Sequence, residues 1–279
     1  MAFSLLYTKE LLSRLKICPN KKLGQNFLVE PAFIEMSISW AQIKAEDIVI
    51  EVGPGCGTLT DSLLQARAQV FAVEKDPVLA QHIARTFPIN ILKGDALEYP
   101  VGNFSLDKSY KVVANLPYAV ASVWLDKILE LPRLPQNMVL LVQKEAAERW
   151  FSAAGSKHFC ALGINLQAAY TINNKRDVAK RCFYPQPNVD SVLISLKKKT
   201  DALIFKKDFK IFLRDIFIHR RQQIGRICRG SQSSLANRFL DYLIKKGYTQ
   251  NVRAEDIDLP LWINFVRDTN TFVTSSVTK

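Results

Sequence analysis

The sequence lacks the features of a membrane or secreted protein. No apolar run approaches the roughly 18 residues that a membrane-spanning helix needs. The first residues have neither the long apolar core nor the small-residue cleavage site of a signal peptide. The five cysteines are an odd number and include no CxxC pair, which argues against a disulfide framework or a zinc site. These absences predict a cytoplasmic protein that needs no metal.

Acidic residues are scarce relative to basic ones, with 26 against 38 and a net charge of +12. A surplus of this size indicates a polyanionic partner, although a generally basic surface is the simpler alternative. The distribution favours a partner, because the basic residues concentrate in one segment that holds only Asp208 and Asp215 as acids. Its basic members are Lys206, Lys207, Lys210, Arg214, Arg220, Arg221, Arg226 and Arg229.

A glycine turn follows the first strongly apolar segment. Ile48–Val52 is typical of a buried strand, Gly53 to Gly57 give a GxGxG turn, and Leu59–Ala66 is typical of a helix. This order opens a nucleotide-binding α/β unit. A glycine turn alone is a weak signal. Its support comes from Glu74, an acid that ends the next strand about 20 residues on, where a ribose-binding carboxylate belongs.

The stretch Asn115-Leu116-Pro117-Tyr118 ends the fourth predicted strand. Asn115 offers an amide oxygen that can accept a hydrogen bond from an exocyclic amine. Pro117 favours an extended Leu116, whose carbonyl can face the same amine, and Tyr118 can stack on a ring. These residues suit the binding of a planar base by its amino group. The alternative is an ordinary strand end with a proline turn and a half-buried tyrosine.

The rest of the pattern predicts an α/β domain at residues 1–200 and a small all-helical domain at residues 201–279. Segments 165–171 and 191–196 have the pattern of the last two strands of the first domain. Beyond residue 200 the sequence predicts helices over 231–246 and 254–268, with Gly247 ending the first, and no further strand.

Four segments together resemble the ribosomal RNA adenine N6-dimethyltransferase family, and more closely its bacterial small-subunit branch. The resemblance covers nearly the whole chain and is specific because the four motifs occur in order. They are Leu23-Gly24-Gln25-Asn26-Phe27-Leu28, Glu51-Val52-Gly53-Pro54-Gly55-Cys56-Gly57, Asn115-Leu116-Pro117-Tyr118 and Phe183-Tyr184-Pro185-Gln186-Pro187. One departure is Ala119, which stands where the family commonly has asparagine.

The resemblance implies a Rossmann-like methyltransferase domain, with S-adenosylmethionine as cofactor, and a helical C-terminal domain. It implies dimethylation of two adjacent adenines near the 3′ end of 16S rRNA, in small ribosomal subunit particles. The implied catalytic residues are Asn115, Leu116, Pro117, Tyr118 and Phe183. The implied cofactor-binding residues are Gln25, Asn26, Leu28, Gly53, Gly55, Glu74, Lys75, Asp95, Ala96 and Asn115.

The basic residues expected to bind RNA phosphates are Lys21, Lys22, Arg220, Arg221 and Arg226. We expect a monomer. Two alternatives remain open from the residues: a methyltransferase acting on DNA or a small molecule, and a non-catalytic RNA-binding assembly factor that kept the fold. The basic C-terminal segment argues against a small-molecule substrate, and the intact Asn115–Tyr118 stretch argues against loss of catalysis.

Overall fold

The computed structural model describes residues 4–20 and 23–274. The chain forms two compact units, one of residues 1–147 and 171–198, the other of residues 148–170 and 199–279. The domain prediction placed residues 148–170 in the first domain. Their packing lies with the second unit, because Phe159 and Ile164 share a buried core with Phe209 and Trp262.

The first unit is built on a seven-stranded sheet in the order β4-β3-β2-β5-β6-β9-β7. Strands β2 to β6 run parallel, and β9 pairs with β6 in the antiparallel sense. A separate antiparallel pair joins β1 to β8. The strands are β1 (Phe27–Leu28), β2 (Ile48–Val52), β3 (Gln69–Glu74), β4 (Asn90–Lys93), β5 (Lys111–Asn115), β6 (Asn137–Gln143), β7 (Tyr170–Val178), β8 (Phe183–Tyr184) and β9 (Ser191–Lys198).

Helices alternate with the parallel strands, which explains why these strands are so apolar. All five residues of β2 are buried, as expected for a parallel sheet covered on both faces. The helices up to β6 and the one that follows it are α1 (Leu5–Arg14), α2 (Pro31–Ala41), α3 (Thr58–Gln65), α4 (Pro77–Thr86), α5 (Ala121–Ile128) and α6 (Lys144–Trp150). No helix among the described residues is long and apolar enough to cross a membrane.

The strand order places the candidate residues at one edge of the sheet. The chain moves outward from β2 to β3 and β4, then returns to lay β5 on the other side of β2. This reversal is a topological switch point, and ligands of open α/β sheets bind beyond the carboxyl ends of the strands there. Gly53, Glu74 and Asn115 lie at the carboxyl ends of β2, β3 and β5, and Asp95 closely follows β4. The α/β prediction is therefore confirmed.

The second unit is mainly helical. Its core contains many aromatic side chains in contact with one another. Phe239 and Trp262 are stacked, with ring centroids 4.4 Å apart. Its elements are α7 (Ala161–Ala169), β10 (Leu203–Phe205), α8 (Lys207–Ile218), α9 (Ile224–Gly230), α10 (Ser234–Lys245), α11 (Leu259–Asp268) and β11 (Phe272–Thr274).

Three details of the prediction were wrong here. Residues 165–171 lie mostly in α7 rather than in a strand, because an apolar run buried nearly all round has no period that separates helix from strand. The unit is not all-helical, since β10 and β11 form an antiparallel pair that matches Ile204 with Val273. The predicted helix over 254–268 is a 3-10 turn at 254–256 followed by α11, which begins after the capping residue Asp258.

Candidate active site

The Asn115–Tyr118 stretch leaves the end of β5 in an arrangement fixed by hydrogen bonds. The Asn115 side chain donates from Nδ2 to the main-chain carbonyl of Asn26 over 2.9 Å. The Leu116 N–H donates to the carbonyl of Leu141, and the Pro117 carbonyl accepts from the N–H of Val120. Since Nδ2 is directed at Asn26, the acceptor Oδ1 occupies the other side of the planar amide. The orientation of this amide is therefore set before any ligand binds.

The N-terminal motif packs directly on this stretch. Gly24 has φ of +66°, and a Cβ built there would lie 3.0 Å from Cβ of Pro117, so glycine is required by both conformation and space. The Asn26 side chain donates to the Gly24 carbonyl over 3.2 Å. Gln25 donates to the Asp76 carboxylate over 3.1 Å, which ties the motif to the N-terminus of α4.

The glycine turn between β2 and α3 forms the floor of the site. Gly53, Gly55 and Gly57 have φ values of +69°, +56° and +83°, a region that side-chain-bearing residues rarely adopt. A Cβ on Gly55 would lie 3.0 Å from the Phe27 ring, and one on Gly57 would overlap the Phe87 ring. The α-carbons of Gly55 and Gly57 therefore pack against aromatic rings, and the half-buried Gly53 lines the pocket.

Glu74 points its carboxylate at this turn. It accepts from the N–H of Gly55 over 3.1 Å and from the N–H of Asp76 over 2.9 Å. The residue is only 7% exposed, and this burial raises the pKa of its carboxyl. The backbone N–H of Lys75 also stabilises this carboxylate, which has about four acceptor sites in all. The carboxylate is therefore anchored to the turn by backbone N–H groups and lines the pocket with its remaining acceptor capacity.

Lys75 and Asp95 form an ion pair at the next strand ends, with Nζ and Oδ2 2.7 Å apart. The hydrogen bond from Lys75 lowers the pKa of the Asp95 carboxyl, and Asp95 raises the pKa of the Lys75 ammonium. Asp95 also accepts from the N–H of Leu97 over 2.9 Å. The lysine therefore holds Asp95 ionised and fixed beside Ala96, at the rim of the site.

One pocket of the first unit is bounded by nearly all of these residues. It brings together the predicted cofactor-binding residues and most of the predicted catalytic ones. Its lining includes Gln25, Asn26, Leu28, Gly53, Gly55, Glu74, Lys75, Asp95, Ala96, Asn115, Leu116, Pro117 and Tyr118. Within the described residues, no group of His, Cys, Asp and Glu side chains could hold a metal ion.

Glu51 also lines the pocket, and the sequence analysis gave it no role. It is 1% exposed and accepts a hydrogen bond from the Thr60 hydroxyl over 2.7 Å. Burial raises the pKa of its carboxyl to about 8, against the smaller lowering effect of Thr60. The signal in the sequence was an acid inside an otherwise apolar strand, a position that demands a partner.

Strand β8, which begins the fourth motif, pairs with β1 of the first motif. Phe27 pairs with Tyr184 and Leu28 with Phe183. Phe183 is 2% exposed and packs in the core with Val178 and Leu193, so stacking of its ring on a base would require this segment to open. Its predicted catalytic role stays a prediction.

Tyr118 is held by a residue that follows the fourth motif in the sequence. Its hydroxyl is hydrogen-bonded to that of Ser191, which is fully buried at the start of β9. Burial raises the pKa of the Tyr118 phenol, so it stays neutral. Ala119, which replaces the common asparagine, is exposed.

The predicted RNA-binding arginines differ in their surroundings. Arg220 is engaged within the second unit: it forms an ion pair with Glu255 at 3.4 Å and donates to the Phe159 carbonyl over 3.5 Å. Arg221 and Arg226 are exposed and have no ion-pair partner among the described residues. Lys21 and Lys22 lie outside the described residues. Lys210, another member of the basic segment, is buried.

Comparison with known proteins points to one family. The family model described as ribosomal RNA adenine dimethylase matches residues 18–269. The chain is 40% identical to the ribosomal RNA small subunit methyltransferase A of Opitutus terrae, over 91% of this chain and 95% of that protein. It is 33% identical to the protein of the same name from Natranaerobius thermophilus, over 91% and 93% of the two chains.

Solved structures support the fold. A dimethyladenosine transferase from Plasmodium falciparum superposes with a TM-score of 0.71 at 24% identity, over 88% of this chain and 97% of that one. The 23S rRNA methyltransferase ErmE superposes with a TM-score of 0.61 at 22% identity, over 88% and 100%. The fold that these two structures share with the chain thus extends over most of its length.

Proposed function

This chain belongs to the ribosomal RNA adenine dimethylase family and dimethylates adenine in small-subunit ribosomal RNA, and on that premise we propose the details of the reaction. The substrate is a pair of adjacent adenines near the 3′ end of 16S rRNA, within small-subunit particles. The methyl donor is S-adenosylmethionine. The enzyme acts as a monomer in the cytoplasm and uses no metal.

The observation that carries the mechanism is the fixed amide of Asn115. Its Nδ2 is occupied by the Asn26 carbonyl, so Oδ1 is the atom that can accept from the N6 amine of adenine. The lone pair of this amine is delocalised into the ring, which makes it a poor nucleophile. In the first transfer, a hydrogen bond accepted by Oδ1 and a second accepted by the Leu116 carbonyl favour a more pyramidal nitrogen whose lone pair is directed at the methyl donor. The monomethylated amine keeps one N–H, so one of these two acceptors orients it for the second transfer.

The residues at the strand ends fit S-adenosylmethionine. Gly53 and Gly55 line the pocket at the glycine turn, Glu74 offers a carboxylate for the ribose hydroxyls, and Asp95 has an ionised carboxylate for the adenine amino group. Asn26, Leu28 and Gly53 line the pocket and would hold the methionine part. When bound, the cofactor supplies a methyl group on a positively charged sulfur.

Positioning therefore does most of the catalytic work. An amide does not titrate in the accessible pH range, so Asn115 orients the amine without removing its proton. The proton would leave to water after the transfer, when the nitrogen is cationic and strongly acidic. Tyr118 provides a neutral ring against which the base can stack, since its hydroxyl is engaged by Ser191. The target adenine must be single-stranded or turned out of its helix to reach Asn115.

The experiment that tests this function is methylation of small-subunit particles from a strain without the modification, using labelled S-adenosylmethionine. We expect label in 16S rRNA only, and mapping should place dimethyladenosine at two neighbouring positions. Calorimetry with S-adenosylmethionine should detect binding by the protein alone. Binding of the cofactor without methylation of the particles would contradict the proposed substrate, and absence of both would contradict the proposed enzyme.

A further inference from the structure

Strand β7 forms an exposed edge of the seven-stranded sheet. It is the outermost strand next to β9. Between Thr171 and Asp177 every residue is exposed except the half-buried Asn174, and burial resumes at Val178. The strand therefore presents an open surface that runs toward Val178, and the 3-10 turn Lys180–Cys182 continues the chain into β8.

This edge carries positive charge that the described part of the protein does not neutralise. Lys175 and Arg176 of the strand, and Arg181 of the 3-10 turn that follows it, are exposed and have no ion-pair partner among residues 4–20 and 23–274. The neighbouring acid Asp177 is already paired with Lys144, at 2.7 Å. We call Lys175, Arg176 and Arg181 the basic edge.

Hydrogen bonds connect the basic edge to the base side of the active site. Lys180, which precedes Arg181, donates to the Asn188 carbonyl over 2.7 Å. Asn188 stands three residues before Ser191, whose hydroxyl is bonded to Tyr118. On its other side, Arg181 precedes by two residues the strand β8, which pairs with Phe27 and Leu28 of the N-terminal motif. The turn that carries Arg181 is thus hydrogen-bonded to the segment that leads to Ser191, the partner of Tyr118.

We propose that the basic edge binds the phosphates of the single-stranded RNA that flanks the target adenine. This inference rests on the proposed function, since an adenine that leaves its helix must have its neighbouring backbone held outside the pocket. Cationic side chains along an exposed groove or strand suit this task, because phosphates attract them without regard to sequence. The occupant is an RNA strand, and the recognised groups are its phosphates.

The test compares two triple variants with equal loss of charge. One is Lys175→Gln, Arg176→Gln and Arg181→Gln. The matched control is Lys44→Gln, Arg67→Gln and Lys108→Gln, three exposed residues before β2, β3 and β5, at the opposite end of the parallel strands. The probe is a short fluorescein-labelled oligoadenylate, whose binding is measured by anisotropy between about 50 and 200 mM salt.

We expect the basic-edge variant to bind the probe about tenfold more weakly at low salt, with a salt slope smaller by about 2, the loss of three single-strand phosphate contacts. Its affinity for S-adenosylmethionine and its thermal unfolding should match the wild type. The control variant should keep the wild-type slope.

Equal slopes for both variants would overturn the inference. So would wild-type RNA binding together with new self-association in size-exclusion chromatography, because the charges would then serve only to keep the sheet edge from pairing. Failure of the proposed function gives a different result, since the wild-type protein would then not methylate small-subunit particles at all.

Discussion

The side chain of Asn115 donates a 2.9 Å hydrogen bond to the main-chain carbonyl of Asn26, although 89 residues separate them in sequence. Asn26 belongs to a segment that lines the proposed cofactor pocket, and Asn115 to the stretch that receives the base. This bond fixes which atom of the amide faces the substrate. It also connects the cofactor pocket directly to the stretch that receives the base.

The first prediction follows from that bond. Asn115→Ala should lower the single-turnover methylation rate by about 10²-fold or more, the scale of losing one positioned polar group at a reacting centre. Asn115→Asp keeps an acceptor but sets a carboxylate oxygen against the Asn26 carbonyl, so we expect a comparable loss. Rapid-quench assays at saturating cofactor and RNA would measure both. An aspartate variant within tenfold of the wild-type rate would show that the orienting bond is dispensable.

Glu74 is predicted to determine cofactor affinity. Glu74→Ala should weaken binding of S-adenosylmethionine by about 1.5 to 3 kcal/mol, the usual contribution of hydrogen bonds to a charged group. Isothermal titration calorimetry measures this directly. The matched control is Glu145→Ala, which removes an exposed acid of α6 that does not line the pocket. Equal affinities for the two variants would disprove the ribose-binding assignment.

Glu51 is predicted to make stability depend on pH. Its folded-state pKa, about 8, lies above the ordinary value of 4.5, so the folded protein holds a proton that the unfolded chain releases. The resulting stabilisation is complete below about pH 4.5 and is lost as pH rises through about 8. Glu51→Gln keeps an acceptor for Thr60 and has no proton to release.

Urea unfolding at several pH values between about 5 and 8 tests this prediction. We expect the stability of the glutamine variant relative to the wild type to rise between about pH 5 and pH 8, by about 1 kcal/mol or more. Glu74 is present in both proteins, so its titration contributes to both curves. Parallel curves would mean that Glu51 ionises at its ordinary pKa.

Tyr118 and Ser191 are predicted to be energetically coupled. Each hydroxyl is the partner of the other in a half-buried or buried site, so removing one leaves the other without its hydrogen bond. A double-mutant cycle with Tyr118→Phe and Ser191→Ala should give a coupling free energy of about 0.5 to 3 kcal/mol. Chemical unfolding of the four proteins supplies the values. Strictly additive losses would indicate that the bond contributes nothing.

The arginines of the second unit are predicted to separate into two groups. Changing Arg221 and Arg226 to glutamine should reduce the salt slope of binding to small-subunit RNA by about 1 to 2 without changing thermal unfolding. Arg220→Gln should lower the unfolding temperature, because Arg220 pairs with Glu255 and with the Phe159 carbonyl. Identical behaviour of all three variants would contradict this division.

The sequence predicted the parts of the site that depend on local pattern. The apolar strands, the glycine turn and the acid at the end of β3 fixed the switch-point edge at which Glu74 and Asn115 meet. Long-range contacts were out of reach, because no spacing rule predicts that Asn26 orients Asn115 or that Ser191 holds Tyr118. The sequence also could not predict which arginines are exposed, since Arg220 and Arg221 are neighbours in sequence yet differ in their contacts.

The second unit gave weaker local signals. Strands β10 and β11 have three residues each and are stabilised by pairing across about 70 residues of sequence, so neither stands out in its own segment. Helix α7 is buried nearly all round and therefore shows no amphipathic period. In both cases tertiary packing, and not the local pattern, determines the structure.

The division of the chain between the two units has a consequence for synthesis on the ribosome. Residues 148–170 emerge between β6 and β9, yet their partners in the common core, such as Phe209 and Trp262, are translated up to about a hundred residues later. Until then Phe159 and Ile164 have no core to enter. The nascent protein must therefore complete its sheet while carrying an unburied apolar segment, and exposed apolar surface of this kind makes a folding intermediate prone to aggregation.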